Sequence, residues 1–190
     1  MGVEIGPAGP ADAAELTAVH RAAAHLAFAD IFPADAPPPP YEDDLAKWRH
    51  WLGPDRHRGR RALVARFAET GAKSGPGRAP AVGVVLTGPD PDEPAVGHLA
   101  RLYVLPEHWG RGIGTHLYRA AMADLAGRRF PEATLWVLEG NDRVRRWYER
   151  LGWRQTDERK VTYAPAGIED VQYRIALPAQ APSKAQDLLW

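Results

Sequence analysis

The stretch Leu102-Tyr-Val-Leu-Pro-Glu-His-Trp-Gly-Arg-Gly-Ile-Gly-Thr115 passes from an apolar, strand-like segment through a proline into three alternate glycines. A helical pattern follows at once, with Ile113, Leu117, Ala121 and Leu125 on one face and Gly127 placed to help end it. A glycine turn feeding a helix N-terminus offers backbone N–H groups that no side chain obstructs, together with the positive end of the helix dipole. That combination suits a diphosphate. The turn lacks the Gly-Lys-Ser/Thr ending of a Walker loop, and Thr115 stands where the dinucleotide fingerprint places its third glycine. A nucleotide-binding domain is therefore a remote alternative, and a glycine turn serving packing alone is the plainer one.

His98 to Leu105 reads as the strand before the turn and Thr134 to Leu138 as the strand after the helix. A strand-helix-strand unit predicts two parallel strands joined by a right-handed crossover. Upstream, Val3 to Ile5 reads as a first strand, and Pro10-Ala-Asp12 opens a helix that fades near Phe28 to Phe32. Pro37 to Pro40 is a stiff break, after which Tyr41 to Leu52 restarts a helix with acids in its first turn. Ala62 to Ala68 and Val82 to Thr87 read as an antiparallel pair across a Gly/Pro-rich loop, Gly71 to Pro80, and a second loop spans Gly88 to Pro94. Downstream, Asn141 to Leu151 reads as a helix, and Trp153 to Tyr163 and Asp170 to Leu177 as two last strands. The expected fold is α/β (α+β): a single domain over residues 1–177, a mixed and mostly antiparallel sheet flanked by helices, and a polar tail over residues 178–190.

A second stretch, Asn141-Asp-Arg-Val-Arg-Arg-Trp-Tyr-Glu-Arg-Leu-Gly-Trp153, follows at a fixed distance. Val144, Trp147 and Leu151 share one helical face, and Asn141, Arg145 and Tyr148 an adjacent one. By periodicity alone Asn141 is a helix N-cap and Tyr148 a packed tyrosine. In order and spacing, however, the two stretches resemble the GNAT superfamily of N-acetyltransferases. Its motif A is a strand, Gln/Arg-x-x-Gly-x-Gly/Ala and a helix; its motif B reads roughly Asn-x-x-Ala-x-x-Phe-Tyr-x-x-x-Gly-Phe. Gly112 and Gly114 match the first; Asn141, Trp147, Tyr148, Gly152 and Trp153 match the second. The chain departs at Trp109, which occupies the Gln/Arg position, and at Val144, which replaces a common alanine.

The resemblance implies acetyl-CoA as co-substrate, lying between two splayed parallel strands. Its pantetheine would pair with backbone at Leu102, Tyr103 and Val104. Its pyrophosphate would sit on the amides of Arg111, Gly112, Ile113, Gly114 and Thr115, with Trp109 and Gly110 as further cofactor-binding residues of the turn. Asn141 would bond the pantetheine arm, and Arg111, Arg145 or Arg146 a remaining phosphate. Tyr148 would protonate the leaving thiolate. The base is left open: Glu139, at the end of a strand beside the cleft and carried with Tyr148 as a catalytic candidate, His98 and Tyr103 on the other strand, and Asp30 each have a structural reading as well, and a water chain is the alternative. Phe28, Asp30 and Phe32 are expected to shape the acceptor site.

No Lys or Arg occurs from Ala22 to Ala46, whereas Asp30, Asp35, Glu42, Asp43 and Asp44 do. An acidic rim of this kind would favour a cationic amine, with Phe28, Phe32, Trp48 and Trp51 as apolar walls; capping and core packing are the bland alternative. The expected partner is thus a small-molecule or peptide amine, and a homodimer is possible on the resemblance alone. A catalytically weak acetyl-CoA-binding regulatory module is the second functional reading.

Composition sets the outer bounds. The chain has 190 residues, 45% of them hydrophobic and 25% charged, with a formal net charge of +0. Such a chain buries a core unaided and carries no global field toward nucleic acid or membrane. Cysteine is absent, so disulfides, thiolate metal sites and a cysteine nucleophile are excluded. The scattered histidines show no ligand spacing, and no metal is expected. The first residues lack a charged and an apolar region typical of a signal peptide, and the expected place is the cytoplasm. The four lysines against many arginines, alanines and prolines hint at a bacterial, GC-rich source.

Overall fold

The computed structural model describes residues 2–53, 59–68 and 78–178. Most of the expected Gly71 to Pro80 loop, and all but the first residue of the tail at 178–190, lie outside the described residues.

The elements follow the order read from the sequence: β1 (Val3–Pro7), α1 (Ala13–Ala27), α2 (Tyr41–Leu52), β2 (Arg61–Phe67), β3 (Ala81–Pro89), β4 (Gly97–Val104), α3 (Ile113–Gly127), β5 (Glu132–Leu138), α4 (Asp142–Arg150), β6 (Arg154–Tyr163) and β7 (Ile168–Ala176). The seven strands form one sheet in the order β1-β2-β3-β4-β5-β7-β6. Every neighbouring pair is antiparallel except β4 and β5.

Central strand β3 is buried along almost its whole length because both of its faces are covered. Val84 and Leu86 meet Leu16, Val19, Leu45, Trp48 and Leu52 of α1 and α2. Val82 and Val85 point the other way, toward Ile113, Leu117, Ala121 and Leu125 of α3. The apolar stripe read from the sequence is thus the buried face of α3. Its end differs from expectation: Gly127 is the last helical residue, and Arg129 takes the left-handed conformation at φ 63°. The Arg128 and Arg129 amides close the helix by returning to Asp124, Leu125 and Ala126.

Helix α4 ends at a glycine for a clear reason. Trp153 N–H donates to Tyr148 O at 3.1 Å and Gly152 N–H to Glu149 O at 3.0 Å, the paired bonds of a Schellman cap. That cap needs a left-handed residue at its turn, and Gly152 supplies φ 93°.

Strands β4 and β5 pair only near their starts, Gly97 with Ala133 and His98 with Thr134, and then part. A bulge accompanies the parting: the β3–β4 register jumps from Thr87↔Leu99 to Leu86↔Arg101, leaving Ala100 extra. Bulges bend the strand that carries them, and this one lies where β4 leaves β5. The result is a gap in the middle of the sheet, bounded by α3 and α4 on one face and reached from the α1/α2 face on the other.

Candidate active site

The edge of β4 that faces the gap follows from hydrogen-bond alternation. Leu105 N–H donates to Val82 O at 2.9 Å on the β3 side. Alternation then turns Tyr103 toward β3, and the N–H and C=O groups of Leu102 and Val104 toward the gap. The expected pantetheine contacts therefore divide. Leu102 and Val104 turn backbone groups toward the gap, whereas Tyr103 pairs with Val84. That ring stacks on His20 of α1 at 4.4 Å.

The glycine turn lies at the open end of the gap. Gly110 and Gly112 adopt φ 76° and 80°, where a β-carbon is disfavoured, and a β-carbon on either would meet nothing within 4 Å. Gly112 caps α3 with no side-chain bond. His116 N–H makes the first helical return, to Gly112 O at 3.0 Å. The N–H groups of Ile113, Gly114 and Thr115 thus have no helical acceptor. The Ile113 side chain is core and Gly114 packs loosely on Leu102 and Val104, so these residues contribute backbone. Arg111 is exposed beside them. Trp109 is pinned: its indole N–H donates to Val104 O at 2.7 Å, tying the turn to the end of β4.

The second motif sits across the gap. Asn141 caps α4, its side-chain oxygen accepting Val144 N–H at 3.3 Å, which leaves the amide NH2 to donate elsewhere. Tyr148 is buried among Trp147, Trp153 and Tyr118, with ring centroids 4.8, 5.8 and 6.5 Å away. Tyr118 is itself held by the Trp153 indole N–H at 3.0 Å. Among the described residues the Tyr148 hydroxyl has no hydrogen-bond partner. Burial, reinforced by the nearby Tyr118 and Tyr103 hydroxyls, pushes its pKa above the ordinary tyrosine value. Tyr118 packs on the α3 face of the sheet and Tyr103 on the α1 face.

Arg145 and Glu139 carry partners of their own. The Arg145 guanidinium donates to Glu139 O at 2.9 Å, Tyr173 Oη at 3.2 Å and Gln155 Oε1 at 3.1 Å. Its donors are taken up in fastening α4 to β6 and β7, leaving little for a phosphate. Arg146 pairs with Asp142 at 3.5 Å. The Glu139 carboxylate is half-exposed and paired with Arg159 at 2.8 Å. His98 is buried with Thr134 Oγ1 2.9 Å from its Nδ1, and Thr134 also donates to the buried Asp90. Burial lowers the His98 pKa to about 4, so it is neutral at physiological pH.

On the α1/α2 face, the segment after α1 reaches over the gap. Phe28 lies 6.1 Å from Phe32, and Phe32 lies 5.7 Å from Tyr163 at the end of β6. Ile31 stands where a β-carbon on Gly140 would meet it at 3.3 Å. Asp30 is exposed, near the same tip. Two of the expected rim and wall residues are structural instead. Asp44 is buried and paired with Arg21 at 2.7 Å, and Trp48 is fully buried core between α1, α2 and the sheet. Farther along β5, a cavity of about 450 Å³ opens against Trp136, whose ring carries the Lys160 ammonium at 4.2 Å. Among the described residues no cluster of three or more His, Asp or Glu could hold a metal ion, and no helix is long and apolar enough to cross a membrane.

The Trp109 tether, the Ala100 bulge and the Phe32–Tyr163 contact were not legible in residue order. The bulge and the aromatic contact join segments that meet only in the fold, and the tether, though it spans only five residues, depends on how the indole turns back on the end of β4.

Known proteins share this arrangement. The family described as acetyltransferase (GNAT) family matches residues 22–153. The N-acetyltransferase PaiA of Thermoplasma acidophilum, solved in complex with coenzyme A, is 18% identical; the match covers 93% of this chain and 99% of that one at a TM-score of 0.66. An acetyltransferase from Thermus thermophilus is 21% identical over 93% and 98% of the two chains at 0.67. The ribosomal-protein-S18-alanine N-acetyltransferase of Escherichia coli is 15% identical, with both chains covered at 100%, at 0.65. At such identities these structures speak for the fold, while the family match spans most of the chain. The chain belongs to the GNAT acetyltransferase family and is an acetyl-CoA-dependent transferase.

Proposed function

We propose that the chain moves the acetyl group of acetyl-CoA onto a primary amine of a small molecule or peptide, with the reaction taking place in the gap between β4 and β5. The observation that carries this reading is the parting of the two strands beyond His98 and Thr134, which leaves Leu102 N–H and C=O and Val104 N–H unpaired along β4, with Tyr148 buried in the core on the α3 side. In this reading the pantetheine arm lies along that edge, with Asn141 donating to it. The diphosphate lies on the amides from Gly112 to Thr115.

The neutral amine nitrogen attacks the thioester carbonyl carbon. A C–N bond forms, the C–S bond breaks, the nitrogen sheds a proton and the thiolate gains one. Val104 N–H polarises the carbonyl. Tyr148 donates to the departing sulfur, and its raised pKa keeps the proton on the hydroxyl through neutral and mildly basic pH. A lysine-type amine titrates at about 10 and has to lose its proton first. Glu139 is the base in this proposal. It accepts the proton once its pair with Arg159 opens, and exposed pairs of that kind are weak. The amine enters beneath Phe28, Asp30 and Phe32, from the α1/α2 face. The cytoplasm, a bacterial source and a homodimer remain part of the proposal on composition and resemblance alone.

The test is thiol release from acetyl-CoA across polyamines, aminoglycosides, amino acids and peptides bearing lysine or free N-termini. Release with one class, and a product heavier by one acetyl group, establishes the reaction. Binding of acetyl-CoA without release on any amine favours the regulatory-module reading. No binding overturns the site.

A further inference from the structure

The position before the glycine turn carries a tryptophan where the family pattern has Gln or Arg, so the turn lacks a polar or cationic side chain there. The structure returns a positive charge to this place from another element. Arg143, on the first turn of α4, lays its guanidinium over the Trp109 ring at 5.0 Å from the centroid. Trp109 cannot turn freely beneath it, because its indole N–H is bonded to Val104 O and its ring packs on the core. Among the described residues no carboxylate pairs with Arg143, in contrast to Arg145 and Arg146 beside it. The side chain is exposed, and the tryptophan that holds it directly precedes Gly110, the first residue of the turn.

The geometry points to Arg143, seated on Trp109, as a ligand of a phosphate of the coenzyme, taking over the charge that position 109 does not supply. This rests on the proposed lie of the coenzyme. A guanidinium held over an indole ring by cation–π attraction keeps N–H groups free to donate and loses little further ordering entropy when an anion arrives. The open amides of Ile113, Gly114 and Thr115 neutralise a diphosphate only partially. A fixed guanidinium at the rim adds a full charge and up to two parallel hydrogen bonds. Both the diphosphate and the 3′-phosphate are within the class of ligand it would take.

Titration calorimetry with acetyl-CoA, CoA and dephospho-CoA on the intact chain and on Arg143→Ala tests it. The expected result is an increase in Kd for acetyl-CoA and CoA of about tenfold, the size of one charge-assisted contact at a partly exposed site. A loss that vanishes with dephospho-CoA assigns the 3′-phosphate, and a loss equal for all three ligands assigns the diphosphate. Trp109→Leu, which removes the seat, is expected to weaken binding as well, and the double variant to be less weak than the two effects combined. Arg143→Ala alone is decisive should Trp109→Leu fold poorly, since Arg143 is exposed. Unchanged affinity of Arg143→Ala for all three ligands overturns the inference. Absence of CoA binding by the unaltered chain would instead overturn the site itself.

Discussion

The two sides of the gap between β4 and β5 are built from different materials. Toward α3 and α4 the surface on offer is largely backbone: the edge of β4 at Leu102 and Val104, the first amides of α3 and the glycines before them. Toward α1 and α2 it is side chains: Phe28, Ile31 and Phe32 meeting Gly140 and Tyr163, with Tyr103 on His20. Backbone geometry tolerates many sequences as long as the glycines and the strand splay are kept. That suits a constant ligand such as the coenzyme. Contacts between loop side chains change with each substitution, which suits an acceptor that differs from one enzyme to the next.

The largest effect that would break this comparison is on the backbone side. Gly112→Glu places a side chain at φ 80° and a carboxylate at the open helix end, and is expected to abolish coenzyme binding by calorimetry. A folded Gly112→Glu variant that binds normally removes the turn from the account. Next in size, Tyr148→Phe is expected to lower kcat by about 10²-fold or more while leaving the Kd for acetyl-CoA unchanged. Because the Tyr148 pKa is raised, the unaltered enzyme should show no alkaline loss of turnover before pH passes the ordinary tyrosine range. A smaller effect belongs to the side-chain half. Phe32→Ala is expected to raise KM for the acceptor several-fold, on the order of one lost apolar contact, with coenzyme affinity intact. A matching loss of coenzyme affinity would mean that the two halves are not separate.

The smallest effect is on stability, and it also arises on the α1/α2 face. Burial holds both His20 and His98 at a pKa of about 4, against about 6.5 when unfolded. Between those values the unfolded chain binds more protons, so stability is full above about pH 6.5 and falls as pH drops toward about 4. Thermal melts over that window are expected to show a declining Tm, with a shallower slope in His98→Gln. A Tm independent of pH from 6.5 to 4 would show that neither histidine is held neutral.

The same division decides what could be read from residue order. The α3 stripe of Ile113, Leu117, Ala121 and Leu125, the α4 cap at Asn141 and the start of α2 at Tyr41 are local patterns, and they appear where periodicity and capping put them. The cofactor-side glycines were legible because a left-handed backbone leaves a mark in the sequence. Arg145 was not legible as a clamp, because its partners Gln155 and Tyr173 come from strands that pack on α4 only after folding. Asp44 and Arg21, and the burial of Trp48, were hidden for the same reason: α1 and α2 become neighbours across a break that contains four consecutive prolines. The bulge at Ala100 follows from pairing between strands rather than from any residue in them.

Amide hydrogen exchange with and without acetyl-CoA tests the central claim most directly. The account predicts new protection at Leu102 and Val104 and at Gly112 to Thr115, with Tyr103, already paired to β3, unchanged. Tight binding with no added protection at these amides, and protection elsewhere, would contradict it.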